Sequence, residues 1–217
     1  NIMLARGDIT ADCVYQFFRC ASRGDDLLFL SPDGNLVTER FQFGRQRAGE
    51  RLCLSDYVQP FSTGIPDYLA SFVTTIGDGV RSLANQWMEE GNYLNAHILQ
   101  ALAIEGAEAM AEIIHQRIRA MWGFPDRHDI NKADLFRAQY SGKRYSFGYP
   151  ACPRLEDQLK LWNLLEPDSS INVELTDEFM MDPEASVSAI VFHHSLAKYF
   201  SLSTNDADEL DRRIRLK

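Results

Sequence analysis

Residues 144–153 read Arg-Tyr-Ser-Phe-Gly-Tyr-Pro-Ala-Cys-Pro. Pro150 and Pro153 fix their own φ angles and push the residues before them toward extended backbone. Gly148 allows the backbone to approach another molecule closely. Arg144 offers a planar fork of donors that suits a carboxylate. A stiff loop that combines these features indicates a small-molecule site rather than a simple connection.

Strand and helix signals alternate irregularly on both sides of this loop. Segments rich in β-branched and aromatic residues predict strands, and they cover Cys13–Cys20, Leu27–Leu30, Leu36–Phe43, Tyr68–Ile76, Val187–Phe192 and Tyr199–Leu202. Apolar residues at helical spacing and capping signals predict helices over Val80–Glu89, Tyr93–Met121, Asn131–Tyr140, Leu155–Leu165 and residues 204–217. This order predicts an α+β fold, a mainly antiparallel sheet packed with helices, in one domain over residues 1–217.

The longest predicted helix, Tyr93–Met121, carries many large apolar residues at helical spacing. They are Leu94, Ile98, Leu102, Met110, Ile113, Ile114, Ile118 and Met121. Because such a stripe usually faces the core, we expect these side chains to be buried.

Composition excludes several classes of protein. The chain has 217 residues, 45% of them hydrophobic, and a net charge of −9. Excess negative charge argues against a nucleic-acid footprint and against binding to an anionic membrane surface. The sequence contains no apolar run of the ~20 residues that span a bilayer, and no signal peptide. We therefore expect a cytoplasmic protein with no nucleic-acid or membrane partner.

The other chemistry-bearing residues do not form a recognisable catalytic or metal site. The cysteines lie singly, without a C-x-x-C pair, at Cys13, Cys20, Cys53 and Cys152. Glu112 and His115 form one E-x-x-H, but a diiron bundle needs two such motifs and two further glutamates. Neither a G-x-S-x-G elbow nor a glycine-rich dinucleotide fingerprint is present. We predict no catalytic residue and no metal ligand in this chain.

Four blocks of the sequence resemble, in the same order, the activation domain of cobalamin-dependent methionine synthase. The loop quoted above carries the pattern R-x-x-x-G-Y-P-A-C-P. Residues 62–72 (STGIPDYLASF), 107–119 (AEAMAEIIHQRIR) and 175–200 supply the other blocks. Together the blocks cover most of residues 14–202, so the similarity is not confined to one loop.

The resemblance implies a function as well as a fold. In that family the domain binds S-adenosylmethionine and presents its methyl group to cob(I)alamin during reductive methylation of the inactive cofactor. The cobalamin would lie on a separate cobalamin-binding domain, and a flavodoxin-type donor would supply the electron. The chain would thus be part of the methyltransferase that makes methionine from homocysteine, and the isolated domain would not be catalytic.

The resemblance also assigns the binding residues. It implies that Arg144 binds the ligand carboxylate and that Tyr149 lies beside the transferable methyl group, facing the corrin. The full set implied to bind S-adenosylmethionine is Glu108, Arg144, Gly148, Tyr149, Ala151, Tyr199 and Phe200. Glu105, Glu108 and Glu112 share one helix stripe, which is either an ordinary solvated face or an acidic surface toward the cobalamin domain.

Three positions depart from the family pattern, and two of them, the missing N-terminal segment and Phe200, favour a competing hypothesis. The family's Asp-Trp-Thr-Pro-Phe-Phe segment, with an aspartate for the charged end of the ligand, is not found, so we expect an N-terminally truncated domain. Phe200 replaces a tyrosine, and residues 154–158 replace Asp-His-Thr-Glu-Lys. The alternative is a non-catalytic module that caps a corrinoid protein and no longer binds S-adenosylmethionine. The intact 144–153 loop favours the binding function.

Overall fold

The computed structural model describes residues 7–216 and is built on an antiparallel sheet of six strands. The strands are β1 Asp12–Arg23, β2 Asp26–Leu30, β3 Val37–Gln42, β4 Asp67–Thr75, β5 Lys143–Tyr145 and β8 Ser186–Phe192, while β6 Glu174–Leu175 and β7 Met181–Asp182 form a separate pair. The sheet order is β3-β2-β1-β4-β8-β5, and all neighbours are antiparallel. The predicted α+β class is therefore confirmed.

Six helices pack around this sheet within residues 7–216. They are α1 Val80–Glu89, α2 Tyr93–Met121, α3 Lys132–Phe136, α4 Gln158–Leu165, α5 Pro167–Ile171 and α6 Thr204–Arg215. α3 is shorter than predicted, because Ala138 adopts a φ of 51° and the helical backbone does not continue to Tyr140. α6 begins at a capping box between Ser203 and Asp206, and Lys217 lies outside the described residues.

The neighbouring strands β4 and β8 are buried on both faces. Along β4, Leu69 and Val73 face one core, whereas Ala70 and Phe72 face the other. The first core includes side chains of α4 and one phenylalanine from each of β1, β2 and β3, and the second is covered by α2. Alternate side chains point to opposite sides of a strand, so this arrangement accounts for the nearly continuous apolar run of β4.

The buried face of α2 matches the predicted one only in part, because Ile114 and Ile118 are buried as expected but most of the other predicted residues are exposed. Ala96, Leu99, Ala103, Ala107, Ala111, Ile114 and Ile118 are buried. In contrast Leu94 is 72% exposed and Leu102 is 64% exposed, and Ile98, Ile113 and Met121 are also exposed. Small side chains let the helix axis approach α1 and the sheet closely, so the alanines take the core face despite burying less surface each. Neither α2 nor any other helix among the described residues is long and apolar enough to cross a membrane.

The predicted strand Tyr199–Leu202 is also wrong. This segment is irregular, because its backbone bonds with loops instead of with a strand. The Leu202 amide donates to the Pro150 carbonyl at 2.9 Å, and the Gln46 side-chain amide donates to the Ser201 carbonyl at 2.9 Å. The segment is thereby attached to the loop that the sequence analysis singled out.

Candidate functional site

The 144–153 segment begins on a strand and ends in a tight turn. Arg144 and Tyr145 belong to β5, at the edge of the sheet, so the predicted loop is irregular only from Ser146 onward. The Gly148 amide donates to the Cys152 carbonyl at 3.0 Å, and the Cys152 amide donates to the Tyr149 carbonyl at 2.9 Å. Gly148 has a φ of 83°, a conformation that costs side-chain-bearing residues free energy.

A cavity of about 450 Å³ opens beside this turn. It is lined by Glu108, Arg144, Tyr145, Ser146, Tyr149, Pro150, Ala151, Cys152, Tyr199, Phe200 and Ser201. Six of the seven residues that the sequence analysis assigned to a ligand therefore lie around one cavity. The seventh, Gly148, does not line it and instead shapes the turn that carries Tyr149 to Ala151. Tyr149 is 59% exposed.

Charges of both signs lie on one wall of the cavity. An Nη2 atom of Arg144 lies 3.3 Å from an Oε2 atom of Glu108, and its Nε atom lies 3.9 Å from Glu112. Arg144 is largely buried, while Glu108 is exposed. Burial raises the pKa of Glu112, although Arg119 and Arg144 act in the opposite direction. The wall thus presents a guanidinium that two carboxylates of α2 hold in place.

A buried polar network supports this wall from behind. Arg119, only 1% exposed, binds Asp126 through two bonds of 2.7 and 2.6 Å. Its guanidinium lies 3.7 Å from the centre of the Tyr140 ring, and the Tyr140 hydroxyl donates to Glu112 at 3.2 Å. Sequence reasoning gave Arg119 and Tyr140 no role. The available signal was the spacing of Glu112 and Arg119, which places both on one side of α2.

Two groups with possible reactivity are held neutral. The Cys152 thiol donates to the Ser146 carbonyl at 2.8 Å, and burial raises its pKa, so it is not an activated nucleophile. Burial, followed by the charge of Arg119, lowers the pKa of His115 well below its usual value. No hydrogen-bond partner is found for either His115 ring nitrogen among the described residues. Within the same part of the chain, no group of His, Cys, Asp and Glu is arranged to hold a metal ion.

A second part of the lining, the 199–201 wall, consists of Tyr199, Phe200 and Ser201. The hydrogen bond from Leu202 to Pro150 fixes this wall to the turn. Tyr145, which sequence reasoning did not single out, packs edge-on against Tyr199 with 5.5 Å between ring centroids. The cavity therefore offers a cation, a carboxylate and aromatic rings. This combination suits an amino-acid zwitterion joined to an aromatic group, so the cavity is a candidate site for such a ligand.

Comparisons with known proteins show the family of this chain. Residues 1–215 match the family described as vitamin B12 dependent methionine synthase, activation domain. The chain therefore belongs to this family.

Relatives and a solved structure place the chain more closely. It is 35% identical over 205 residues to methionine synthase of Mycobacterium tuberculosis (strain ATCC 25618 / H37Rv) and 31% identical over 205 residues to that of Mycobacterium leprae (strain TN). Each match includes 88% of this chain but only 17% of the relative. This chain therefore corresponds to a small part of those enzymes. A crystal structure of the MetH reactivation domain bound to AdoHcy superposes with a TM-score of 0.91 and 30% identity, covering 99% of this chain and 69% of that one.

Proposed function

We propose that this chain binds S-adenosylmethionine in the cavity beside Arg144 and presents its methyl group to a cobalamin held elsewhere in a methionine synthase. The observation that carries the proposal is the meeting of Glu108, Arg144, Tyr149 and Tyr199 around one cavity of about 450 Å³. The similar reactivation domain is described as bound to AdoHcy, the product that remains when S-adenosylmethionine has given up its methyl group.

The charges of the cavity wall fit the charged end of this ligand. Its carboxylate would pair with the Arg144 fork, and its ammonium and sulfonium groups would be stabilised by the Glu108 carboxylate, in a charge-assisted contact of about 1.5–3 kcal/mol. Backbone groups of Tyr149 and Ala151 would meet the adenine or the amino group. Tyr199 would border the ligand, and Phe200 would contribute only its ring, because it has no hydroxyl group.

The protein's contribution to the reaction would be positioning. Cobalamin, when bound to its own domain, supplies the cobalt nucleophile that accepts the methyl group. The exposed Tyr149 stands at the rim of the cavity, where it would face the corrin. No side chain of the cavity need act as an acid or a base, and the neutral Cys152 thiol agrees with this role. Holding the methyl donor in a productive orientation is itself a large catalytic effect.

The proposed function extends beyond the cavity. Residues 1–217 would act as one domain in the cytoplasm, with a cobalamin-binding domain as partner and a flavodoxin-type electron donor. The chain would thereby serve the methyltransferase reaction that makes methionine. The exposed Glu105 and Glu108 would belong to the surface that meets the cobalamin domain. The four cysteines are free thiols, which agrees with a reducing compartment.

Titration calorimetry with S-adenosylhomocysteine, which is chemically stable, tests the ligand assignment. We expect saturable binding of one ligand per chain. Absence of binding would support the alternative function, a module that caps a corrinoid protein without an adenosyl ligand. Adding the isolated cobalamin-binding domain of a relative then tests that alternative, because such a module would still form the complex without the adenosyl ligand.

A further inference from the structure

Two tyrosine hydroxyls converge on a single backbone carbonyl next to the cavity. The Tyr145 hydroxyl donates to the Lys198 carbonyl at 2.8 Å, and the Tyr57 hydroxyl donates to the same oxygen at 3.3 Å. The Lys198 amide in turn donates to the Tyr57 hydroxyl oxygen at 3.4 Å. A carbonyl has two lone pairs, so these two donors satisfy it completely.

The tyrosines are held rigidly at this point. Their rings stack at 6.3 Å with an interplanar angle of 18°, and both pack against Phe192 of β8. Burial, followed by the neighbouring Tyr57, raises the pKa of Tyr145. Its hydroxyl therefore keeps its proton and remains a donor throughout the neutral range.

This carbonyl immediately precedes the 199–201 wall of the cavity in sequence. Tyr199, Phe200 and Ser201 follow Lys198 and line the cavity. The far end of this short segment is fixed by the bond from the Leu202 amide to the Pro150 carbonyl. The segment is irregular, so its position depends on side-chain and loop contacts: the two tyrosines at its start, the Gln46 amide at the Ser201 carbonyl and the Leu202 bond at its end.

We propose that Tyr57 and Tyr145 are positioning residues that hold the 199–201 wall in its ligand-binding place through the Lys198 carbonyl. Tyr57 does not line the cavity, so its hydroxyl group would act on the ligand through this carbonyl. The expected effect of the two tyrosines on ligand affinity rests on the proposed function. Their effect on the position of the wall does not depend on any ligand.

The hydroxyls are removed singly and together in Tyr57→Phe, Tyr145→Phe and the double variant. Tyr93→Phe, at the exposed start of α2, is the matched control. Affinity for S-adenosylhomocysteine is measured by calorimetry, and hydrogen exchange of residues 198–202 by mass spectrometry, with β4 and β8 as internal references. Each single variant leaves one donor, so we expect less than about a threefold loss of affinity, whereas the double variant loses about tenfold or more.

In the double variant we also expect faster exchange at residues 198–202, with β4 and β8 unchanged. Unchanged exchange in this segment would overturn the inference, as would unchanged affinity of the double variant in a chain that binds the ligand. If the double variant does not fold, hydrogen exchange of residues 198–202 in Tyr145→Phe decides, because this variant removes the shorter bond: faster exchange there supports the inference, and unchanged exchange overturns it. If the unaltered chain does not bind the ligand, the proposed function is wrong, and the exchange result still decides whether the tyrosines hold the wall.

Discussion

Arg144 and Glu108 form an ion pair on the wall of the cavity, with 3.3 Å between Nη2 and Oε2. Arg144 comes from the edge strand β5 and Glu108 from the middle of α2, so the pair links the sheet to the longest helix. A zwitterionic ligand would exchange partners with this pair, taking the guanidinium for its carboxylate and the carboxylate for its ammonium. The cavity thus holds in advance the two charges that such a ligand needs.

This exchange predicts the effect of neutralising Glu108. In Glu108→Gln the ligand's ammonium group loses a charge-assisted contact, so we expect affinity for S-adenosylhomocysteine to fall about tenfold or more. Glu105→Gln, on the same helix but outside the cavity, is the control and should bind like the unaltered chain. Tighter binding by Glu108→Gln would mean that Glu108 only competes with the ligand for Arg144.

We predict that replacing Gly148 weakens ligand binding in addition to lowering the stability of the fold. Its φ is 83°, and a Cβ added there would lie 3.2 Å from the Leu155 side chain, whereas Gly64 has a φ of 65° with open space around it. Both alanine variants should lose about 1 kcal/mol in urea unfolding. Only Gly148→Ala should also weaken S-adenosylhomocysteine binding, because it deforms the turn that carries Tyr149 to Ala151. Equal affinities of the two variants would separate Gly148 from the site.

The face of α2 that packs in the core is tested by two neighbouring leucines. Leu99 is 5% exposed and Leu102 is 64% exposed. We expect Leu99→Ala to lower the free energy of unfolding by about 2–5 kcal/mol, and Leu102→Ala to change it by no more than about 0.5 kcal/mol. Urea denaturation of both variants measures this. The opposite ranking would restore the face that the sequence pattern suggested.

The sequence pattern was sufficient for the order of elements but not for the packing of α2. Strand positions followed from β-branched and aromatic runs, and β4 and β8 were found within one residue of their predicted bounds. On α2, however, large apolar side chains occur around most of the helix, so periodicity could not choose a face. The alanines decided it, because close approach to α1 and the sheet depends on small side chains that carry little hydrophobic signal.

Stability should depend on pH through His115. Its folded-state pKa lies well below 6.5 because it is buried, and then because of Arg119. The unfolded chain therefore binds a proton that the folded chain does not, and stability should fall as pH drops below about 6.5, by up to about 1.4 kcal/mol per pH unit. His115→Phe should lose this part of the slope without losing a hydrogen bond, since neither ring nitrogen has a partner among the described residues.

Urea unfolding at pH 7.5, 6.5 and 5.5 measures the slope, and His97→Gln, which changes an exposed histidine of α2, is the control. Between pH 6.5 and pH 5.5 the free energy of unfolding should fall more for His97→Gln than for His115→Phe. Above pH 7 it should respond to pH in the same way in both variants. A slope that survives in His115→Phe would assign the effect to other groups.

For the site, the sequence indicated the loop and the helix but not what holds them. Arg144, Tyr149 and Glu108 stood in motifs, and they do line one cavity. Tyr57, Tyr140 and Arg119 could not be assigned, because their importance lies in contacts between segments distant in sequence. Tyr57 acts on residue 198 from the connection after β3, and no local pattern of residues encodes that contact.

The binding of S-adenosylhomocysteine to the unaltered chain and to Arg144→Ala, measured side by side by titration calorimetry, tests the central claim most directly. Arg127→Ala, at an exposed arginine outside the cavity, controls for loss of a positive charge. The account predicts saturable binding to the unaltered chain and to Arg127→Ala, and a dissociation constant raised roughly 10- to 150-fold in Arg144→Ala, because the ligand carboxylate loses its charged partner. Equal affinity of the Arg144→Ala variant and the unaltered chain, or no binding to either, would contradict it.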